Sequence, residues 1–349
     1  MYTRPLMQFL DRLDEEARKL LLAVARPVAY AKGARLVRHG DIARGAHVLG
    51  SGSAEAVVML PGGEKLTVAT LAAGAVFGET SLIERSTCTA TVSAGEKVEG
   101  WFIERDDFRA LVAQRVPAAL RVQHAVTLVL SEKLRALNAR VLEVPAPEDK
   151  VTSNKPDRPD PLASAKRPKK VSFDYQPFLA LLPAFEAFEQ SEIAEVLRVS
   201  SLLELPRGHG VFVAGQPSAA CFVVLRGAVE IRARHARRER RMAVLGPGQL
   251  LGYMSALEHG VHGSDAVVRE HALLLEIPRA AFDALYHGAS PASTKLHRVI
   301  QRSLLFSLGQ TNRHLTRLIS LARLRGAHKE GDALEAAFSA QMVTSDRES

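Results

Sequence analysis

The chain has 349 residues, which exceeds one ordinary core and suggests two domains of ~100–150 residues each. The composition is that of a globular protein, with 47% hydrophobic and 24% charged residues, and no apolar run reaches the ~18 residues of a membrane span. The two cysteines, Cys88 and Cys221, form no metal-ligand spacing, so we expect a reducing, cytoplasmic compartment.

The first half of the chain combines an amphipathic segment with short strands. Residues 1–25 carry acidic residues inside an apolar pattern, which predicts an amphipathic helix rather than a signal peptide. Short apolar runs separated by glycines follow, and residues 60–68 form a predicted hairpin with Gly62 and Gly63 at its tip. The pattern predicts a mainly β domain, a small antiparallel barrel or jelly roll, within residues 1–144.

A helix is expected to follow this barrel. Residues 117–141 place apolar side chains at spacings of three to five, and Pro117 suits the first helical turn. The next segment, residues 145–177, is rich in Pro, Lys, Asp and Ser and has almost no apolar periodicity, which is typical of a flexible linker. We therefore predict a second domain over residues 178–325 and a C-terminal tail over residues 326–349.

The two halves repeat one glycine pattern. An offset of 175 pairs Gly33 with Gly208, Gly40 with Gly215 and Gly52 with Gly227; after the loss of one residue, an offset of 174 pairs Gly74 with Gly248, Gly78 with Gly252 and Phe108 with Phe282. A register held through so many positions indicates a tandem duplication. The second half therefore predicts a second β barrel, followed by an amphipathic helix over residues 292–322.

One stretch of the first half, residues 76–94, places a Gly-Glu pair at the head of a short helix and then returns to a strand. Its pieces FGETSLI and TATVSA resemble the phosphate-binding cassette of cyclic nucleotide-binding domains, more strongly over residues 8–141 than over 178–320. Two such domains in series resemble the regulatory subunits of cyclic-AMP-dependent protein kinase, and one barrel with a long helix resembles the catabolite activator class.

The resemblance implies a role for each part of the first cassette. Backbone amides after Gly78 would point at the cyclic phosphate, and Glu79 would accept a hydrogen bond from the ribose 2′-hydroxyl. An arginine near the end of the cassette would neutralise the phosphate, and an Ala-Thr pair would close around the ligand. The nucleotide-binding residues implied are Phe77, Gly78, Glu79, Thr80, Ser81, Arg85, Cys88, Thr89, Ala90 and Thr91.

The first cassette departs from the family pattern at Cys88, which stands at the position of that arginine. A charge-assisted contact of this kind contributes about 1.5–3 kcal/mol, or about ten- to a hundred-fold in affinity. Arg85, one turn earlier, is either a substitute or a solvated surface arginine. Glu79 is either the ribose acceptor or a carboxylate that caps neighbouring amides. The thiol of Cys88 is either reactive in an electropositive pocket or, as we favour, a small residue that fills space.

The second cassette, within residues 250–270, has drifted further. Tyr253, His262 and Asp265 stand at the positions of glutamate, arginine and threonine. An aspartate would repel phosphate unless it is paired, and a histidine supplies little charge at neutral pH. We therefore expect a retained fold with a lost or altered ligand at a degenerate second site made of Gly252, Tyr253, Met254, His262, Gly263 and Ser264.

These observations predict a non-enzymatic regulatory or sensor protein without a bound cofactor. The hypothesis is that the first domain binds cyclic AMP or cyclic GMP weakly and that the second binds neither. We expect the output to come from the helices at residues 117–141 and 292–322, through contact with a protein partner such as a kinase or a second copy of the chain.

Two alternatives belong to other functional classes. KRPKKVSF, residues 166–173, places two lysines shortly before Ser172, as in a basophilic kinase substrate or pseudosubstrate, which would suit a scaffold or kinase-regulating protein. A catabolite activator-like regulator would need a helix-turn-helix, and the residues after Ile319 are too few and too polar for one. We expect no specific DNA binding, although the net charge of +8 and the arginine-rich hairpin at residues 231–241 would permit nonspecific contact with nucleic acid.

Overall fold

The computed structural model describes residues 9–59, 63, 65–146, 149–151, 162, 165–167, 175–235, 238–288 and 290–324. These residues form two compact units, one made of residues 9–130 with 313–324 and the other of residues 131–312. Each unit has a β-sheet core with flanking helices, so the predicted mainly β fold with two jelly-roll-like domains is confirmed. Among the described helices, none has the length and apolar character needed to cross a bilayer.

The first unit begins with a 3-10 helix at Phe9–Arg12 and helix α1 at Glu15–Val24. The amide of Ala17 donates a 2.8 Å hydrogen bond to the Asp14 carboxylate, which caps α1. Where residues 1–25 are described, the single predicted helix is therefore divided into a 3-10 helix and α1. Residues 1–8 lie outside the described residues. The strands that follow are β1 (Arg26–Tyr30), β2 (Arg35–Val37), β3 (Gly45–Ser51), β4 (Ala54–Met59), β5 (Lys65–Leu71), β6 (Val76–Phe77), β7 (Thr91–Ala94) and β8 (Val98–Glu104), with helices α2 (Thr80–Ile83), α3 (Arg105–Ala113) and α4 (Pro117–Glu143).

Two antiparallel sheets make the core of the first unit, in the strand orders β1-β8-β3-β6 and β2-β7-β4-β5. Strands β4 and β5 pair across the predicted hairpin, of whose tip only Gly63 is described. Both sheets contribute to one buried apolar cluster, made of Leu49, Ala54, Ala56, Phe77, Val92, Ala94 and Val98. Because Phe77 belongs to this cluster, the start of the first cassette is anchored in the core.

The second unit has a larger sheet. Its elements are β9 (Lys150–Val151), α5 (Gln176–Leu179), α6 (Gln190–Arg198), β10 (Ser201–Leu205), β11 (Gly210–Phe212), β12 (Ala220–His235), β13 (Arg238–Leu245), β14 (Leu250–Leu251), α7 (Tyr253–Leu257), β15 (Asp265–Pro278), α8 (Arg279–His287) and α9 (Pro291–Leu324). The strands follow the order β10-β15-β12-β13-β9, with β11 paired to β15 and β14 to β12. The helices predicted at 117–141 and 292–322 are present as α4 and α9, and each starts at a proline.

The duplication is visible in the backbone geometry. The paired glycines have similar left-handed φ angles, which are 79° and 87° for Gly33 and Gly208, 86° and 87° for Gly40 and Gly215, 79° and 81° for Gly52 and Gly227, 86° and 80° for Gly74 and Gly248, and 74° and 77° for Gly78 and Gly252. A Cβ atom on Gly52 would lie 2.2 Å from the carbonyl oxygen of Lys97, and one on Gly227 would lie 2.2 Å from that of His271. Since Lys97 and His271 are 174 residues apart, the loss of one residue after Gly52 is confirmed.

The segment predicted as a flexible linker, residues 145–177, differs from that prediction where it is described. Strand β9 pairs with β13, and the amide of Glu204 donates a 2.9 Å hydrogen bond to the carbonyl of Lys166. Helix α5 already begins at Gln176. Composition could not show these contacts because they depend on acceptors and strand edges elsewhere in the second unit. Residues 152–161, 163–164 and 168–174, which include Ser172, lie outside the described residues, as does the predicted tail at 326–349.

Candidate functional site

The first cassette starts at a turn that only glycine fits. Gly78 has a φ of 74°, and a Cβ atom there would lie 2.8 Å from the carbonyl oxygen of Gly45 on β3. The Ser81 hydroxyl donates a 2.6 Å hydrogen bond to the carbonyl of Gly78, and Ser81 is fully buried. Ser81 therefore holds the turn closed from inside, and this bond engages its hydroxyl within the protein.

Glu79 follows this turn directly and precedes α2. Its side chain is 5% exposed and forms no capping hydrogen bond to α2. Capping of α2 therefore does not account for this buried carboxylate. Thr80, the first residue of α2, is half-buried, and its carbonyl accepts a 3.2 Å hydrogen bond from the amide of Glu84.

Cys88 lies after α2, in a segment without regular secondary structure. Its amide donates to the carbonyl of Asp41 at 2.8 Å, and its carbonyl accepts from the amide of Gly40 at 2.9 Å. Burial, and secondly the negative charge of Asp41, raise the pKa of the Cys88 thiol. A raised pKa keeps the sulfur protonated, which argues against the reactive-thiol interpretation.

The remaining polar residues of the first cassette are spread out. Arg85 is exposed. The pKa of the Asp106 carboxyl is lowered first by its hydrogen bond from Arg105 and, to a lesser extent, by the charge of Arg85. The Thr91 hydroxyl accepts a 3.1 Å hydrogen bond from the amide of His39, whereas Thr89 is exposed.

A histidine that sequence reasoning missed lies beneath the first cassette. The His47 ring stacks on Phe77 at 4.8 Å between centroids, and its Nε2 is 3.1 Å from the Tyr30 hydroxyl. Burial, and secondly the charge of Arg26, lower the pKa of His47 to about 4. This histidine is therefore neutral at physiological pH. The equivalent residue of the second half is Phe222, and this exchange was the available signal.

The substituted side chains of the second cassette are buried and pack against other residues of the protein. Tyr253 is 7% exposed, and burial raises its pKa to about 12 against the opposing effect of a hydrogen bond with Ser307 of α9. The His262 ring stacks on Phe212 at 3.9 Å, and burial lowers its pKa to about 4, assisted by the charge of Arg135. At neutral pH, therefore, His262 carries no positive charge and the Tyr253 hydroxyl is bonded to Ser307.

Asp265, the third substitution, is paired within the protein. Its carboxylate accepts a 2.9 Å hydrogen bond from the amide of Ala214 and lies 3.7 Å from the Arg234 guanidinium. Met254 and Ser264 are half-buried, whereas Gly263 is exposed. The three substituted residues of the second cassette, Tyr253, His262 and Asp265, therefore all make contacts within the protein.

An arginine from outside the second cassette reaches it. Arg135 of α4 donates two hydrogen bonds to one carboxylate oxygen of Glu258, at 2.9 and 2.6 Å, and Ser131 donates to the other oxygen at 2.6 Å. Glu258 is the C-cap residue that follows α7, and a Cβ atom on Gly263 would lie 2.6 Å from Nη1 of Arg135. This arginine is thus already bound to a carboxylate.

The family model of the cyclic nucleotide-binding domain matches residues 27–115 and 202–288, just over half of the chain. The chain belongs to the cyclic nucleotide-binding domain family. The two matches lie one in each compact unit, so the predicted tandem arrangement of cyclic nucleotide-binding domains is confirmed.

Individual relatives of these cyclic nucleotide-binding domains cover parts of the chain. A CRP-like cAMP-activated global transcriptional regulator of Mycobacterium tuberculosis is 29% identical over 142 residues, which are 40% of this chain and 62% of the relative. The regulatory domain of Toxoplasma gondii PKA, solved with cAMP, is 15% identical with a TM-score of 0.30, covering 79% of this chain and 86% of that one. A cyclic nucleotide-binding domain from Methylobacillus flagellatus is 20% identical with a TM-score of 0.38, covering 41% and 84%.

Most described arginines of the arginine-rich hairpin, in the second cyclic nucleotide-binding domain, lie in ion pairs. Glu230 contacts Arg232, Glu239 contacts Arg232 and Arg234, and Asp149 contacts Arg238 and Arg240, whereas Arg241 is exposed. The guanidinium of Arg240 is 1% exposed and also donates to the carbonyls of Val141 and Val144. A nucleic-acid interpretation of this hairpin finds no support in these contacts.

Proposed function

We propose that this chain is a non-enzymatic regulatory protein whose first domain binds a cyclic nucleotide weakly and whose second domain binds none. Cyclic AMP and cyclic GMP are the ligands that the family suggests. The observation that carries the proposal is the first cassette turn, where Gly78 is left-handed against β3 and Glu79 is buried directly after it. This turn keeps the backbone shape of an anion cradle next to an acidic ribose acceptor.

Weak rather than tight binding follows from the charges around the first cassette. Cys88 is a protonated thiol, and Arg85 is exposed. His47 lies below the cassette but is neutral at physiological pH. A phosphate in this cradle would therefore depend on backbone amides and would lack the charge-assisted contact, which contributes about 1.5–3 kcal/mol.

Loss of binding in the second domain is supported by the three contacts that its cassette makes internally. Tyr253 is tied to Ser307, and His262 is stacked on Phe212. The Arg135 guanidinium is neutralised by Glu258. A ligand would have to break contacts that already stabilise the folded state.

The proposed output is a protein contact made by the helices at 117–141 and 292–322. Phe306 on α9 is 57% exposed and offers an apolar side chain for a contact with a kinase or a second copy. The second candidate function, a ligand-independent scaffold or kinase-regulating protein, is favoured by the internally closed second cassette. Transcriptional regulation is named for the Mycobacterium tuberculosis relative, 62% of whose length the match spans.

Calorimetric titration of the full chain with cyclic AMP and with cyclic GMP tests the proposal. We expect one binding site, weakened about tenfold by Glu79→Gln because the ribose hydroxyl loses a charged acceptor. Tyr253→Phe occupies the equivalent position of the second domain and should leave binding unchanged, which makes it the matched control. Two sites, or an effect of Tyr253→Phe, would contradict the division of roles, and no heat with either nucleotide would favour the scaffold.

A further inference from the structure

Three potential metal ligands converge beside the second cassette. His259, Asp283 and His287 each offer one ligand atom, and these atoms lie within 4.8 Å of one another. Asp283 and His287 are four residues apart on α8, so they share one face of that helix. His259 belongs to the turn that follows α7, which links the cassette helix to this face of α8.

The backbone at His259 is held in a conformation that histidine rarely adopts. Its φ is 50°, in the left-handed region where glycine is normally found. The ring nitrogen Nε2 lies 3.9 Å from Oδ1 of Asp283, too far for a hydrogen bond. The turn thus places an imidazole next to a carboxylate without any direct hydrogen bond between them.

A neighbouring arginine orients the carboxylate of Asp283 toward His259. Nε of Arg279 donates to Oδ2 of Asp283 at 3.2 Å, which orients the carboxylate and leaves Oδ1 facing His259. The side chains of His259 and Asp283 are 61% and 30% exposed, so they have room to rotate. Ligands of a tetrahedral zinc ion lie about 3.3 Å apart, within reach of such rotations.

We propose that His259, Asp283 and His287 form a site for a divalent transition-metal ion of the zinc type. Two imidazoles and one carboxylate suit this class of ion and leave a fourth position for water. A bound ion would connect the turn after α7, which holds His259, to α8, and would fix the position of α8 relative to the second cassette. The site is specific to the second domain, because the equivalent positions of the first domain hold Arg85, Arg109 and Ala113.

Titration of the full chain with Zn²⁺ by calorimetry tests the site. We expect one equivalent to bind, and His287→Ala and His259→Gly each to reduce the affinity at least tenfold. His259→Gly removes the ligand while the new residue accepts the positive φ, so this variant should fold at least as well as the wild type. The matched control is His271→Ala, which removes another exposed histidine beside a carboxylate, Glu204 at 3.3 Å.

Substitution with Co²⁺ separates this site from one that uses the thiol of Cys88. A site of nitrogen and oxygen ligands should give visible d–d bands and no near-ultraviolet thiolate charge-transfer band. Affinities of His287→Ala and His259→Gly within twofold of the wild type would overturn the proposal, as would a thiolate band or an equal loss of affinity in His271→Ala. Thermal melts without metal show whether each variant is folded, so loss of binding by an unfolded variant is not counted as support.

Discussion

Replacement of Cys88 by arginine tests whether the first cassette lacks only a counter-charge. Cys88 is half-buried and lies outside the helices and strands, so a longer side chain can extend toward solvent without overfilling the core. A guanidinium that reaches the phosphate should contribute about 1.5–3 kcal/mol, which is about a ten- to hundred-fold gain in affinity for cyclic AMP or cyclic GMP. Asp41, whose charge raises the Cys88 pKa, is near enough to compete for the new arginine and would place the gain at the lower end.

The assay is calorimetry on the full chain, with the double variant Cys88→Arg/Asp41→Asn to remove this competition. The matched control is His262→Arg, the equivalent change in the second domain. Since His262 is 4% exposed and stacked on Phe212, we expect this control to lower stability and to create no binding. If neither Cys88→Arg nor the double variant binds more tightly than the wild type, the cradle is not merely short of one charge, and the reasoning is refuted.

Two further predictions concern stability. Arg240→Met should lower the free energy of unfolding, measured by denaturant titration with far-ultraviolet circular dichroism, by up to about 3–5 kcal/mol, because it leaves the buried Asp149 carboxylate with Arg238, at 3.8 Å, as its remaining arginine contact. The exposed neighbour Arg241→Met should change it by no more than about 0.5 kcal/mol, and equal effects of the two changes would contradict the buried pair. His47 has a folded pKa of about 4, below its ordinary 6.5, so its contribution to stability is complete above pH 6.5 and is lost as the pH falls toward 4, by an amount of order 3 kcal/mol. In His47→Phe, the free energy of unfolding should therefore depend less on pH between 6.5 and 4. Unfolding can be followed by the fluorescence of Trp101, and an unchanged pH dependence would show that another group titrates.

The glycine register was the most informative part of the sequence. Left-handed turns and close backbone approaches restrict a position to glycine, so Gly52 and Gly227 reported a local geometry that needs no knowledge of distant residues. The same register located both cassettes and identified Cys88 and His262 as equivalent positions. The fold class and the tandem arrangement could therefore be predicted from local signals.

Contacts between distant parts of the chain could not be predicted in this way. Arg135 reaches Glu258 across more than a hundred positions, and nothing in the helical pattern of α4 distinguishes it from a surface arginine. Asp149 lies in a segment whose composition suggests a linker, yet it pairs with the buried Arg240. These residues have ordinary identities, and only the folded chain shows which acceptor each of them meets.

Strand β9 decides where this protein can be divided into fragments. A fragment that starts at residue 178 would lack β9, and the backbone of β13 at Arg238 and Glu239 would become an open sheet edge of the kind that promotes aggregation. A fragment that starts at residue 131 keeps β9 and, with it, the carboxylate that neutralises Arg240. A fragment of the second domain should therefore begin inside α4. Such a fragment starts well before residue 202, where the second family match begins.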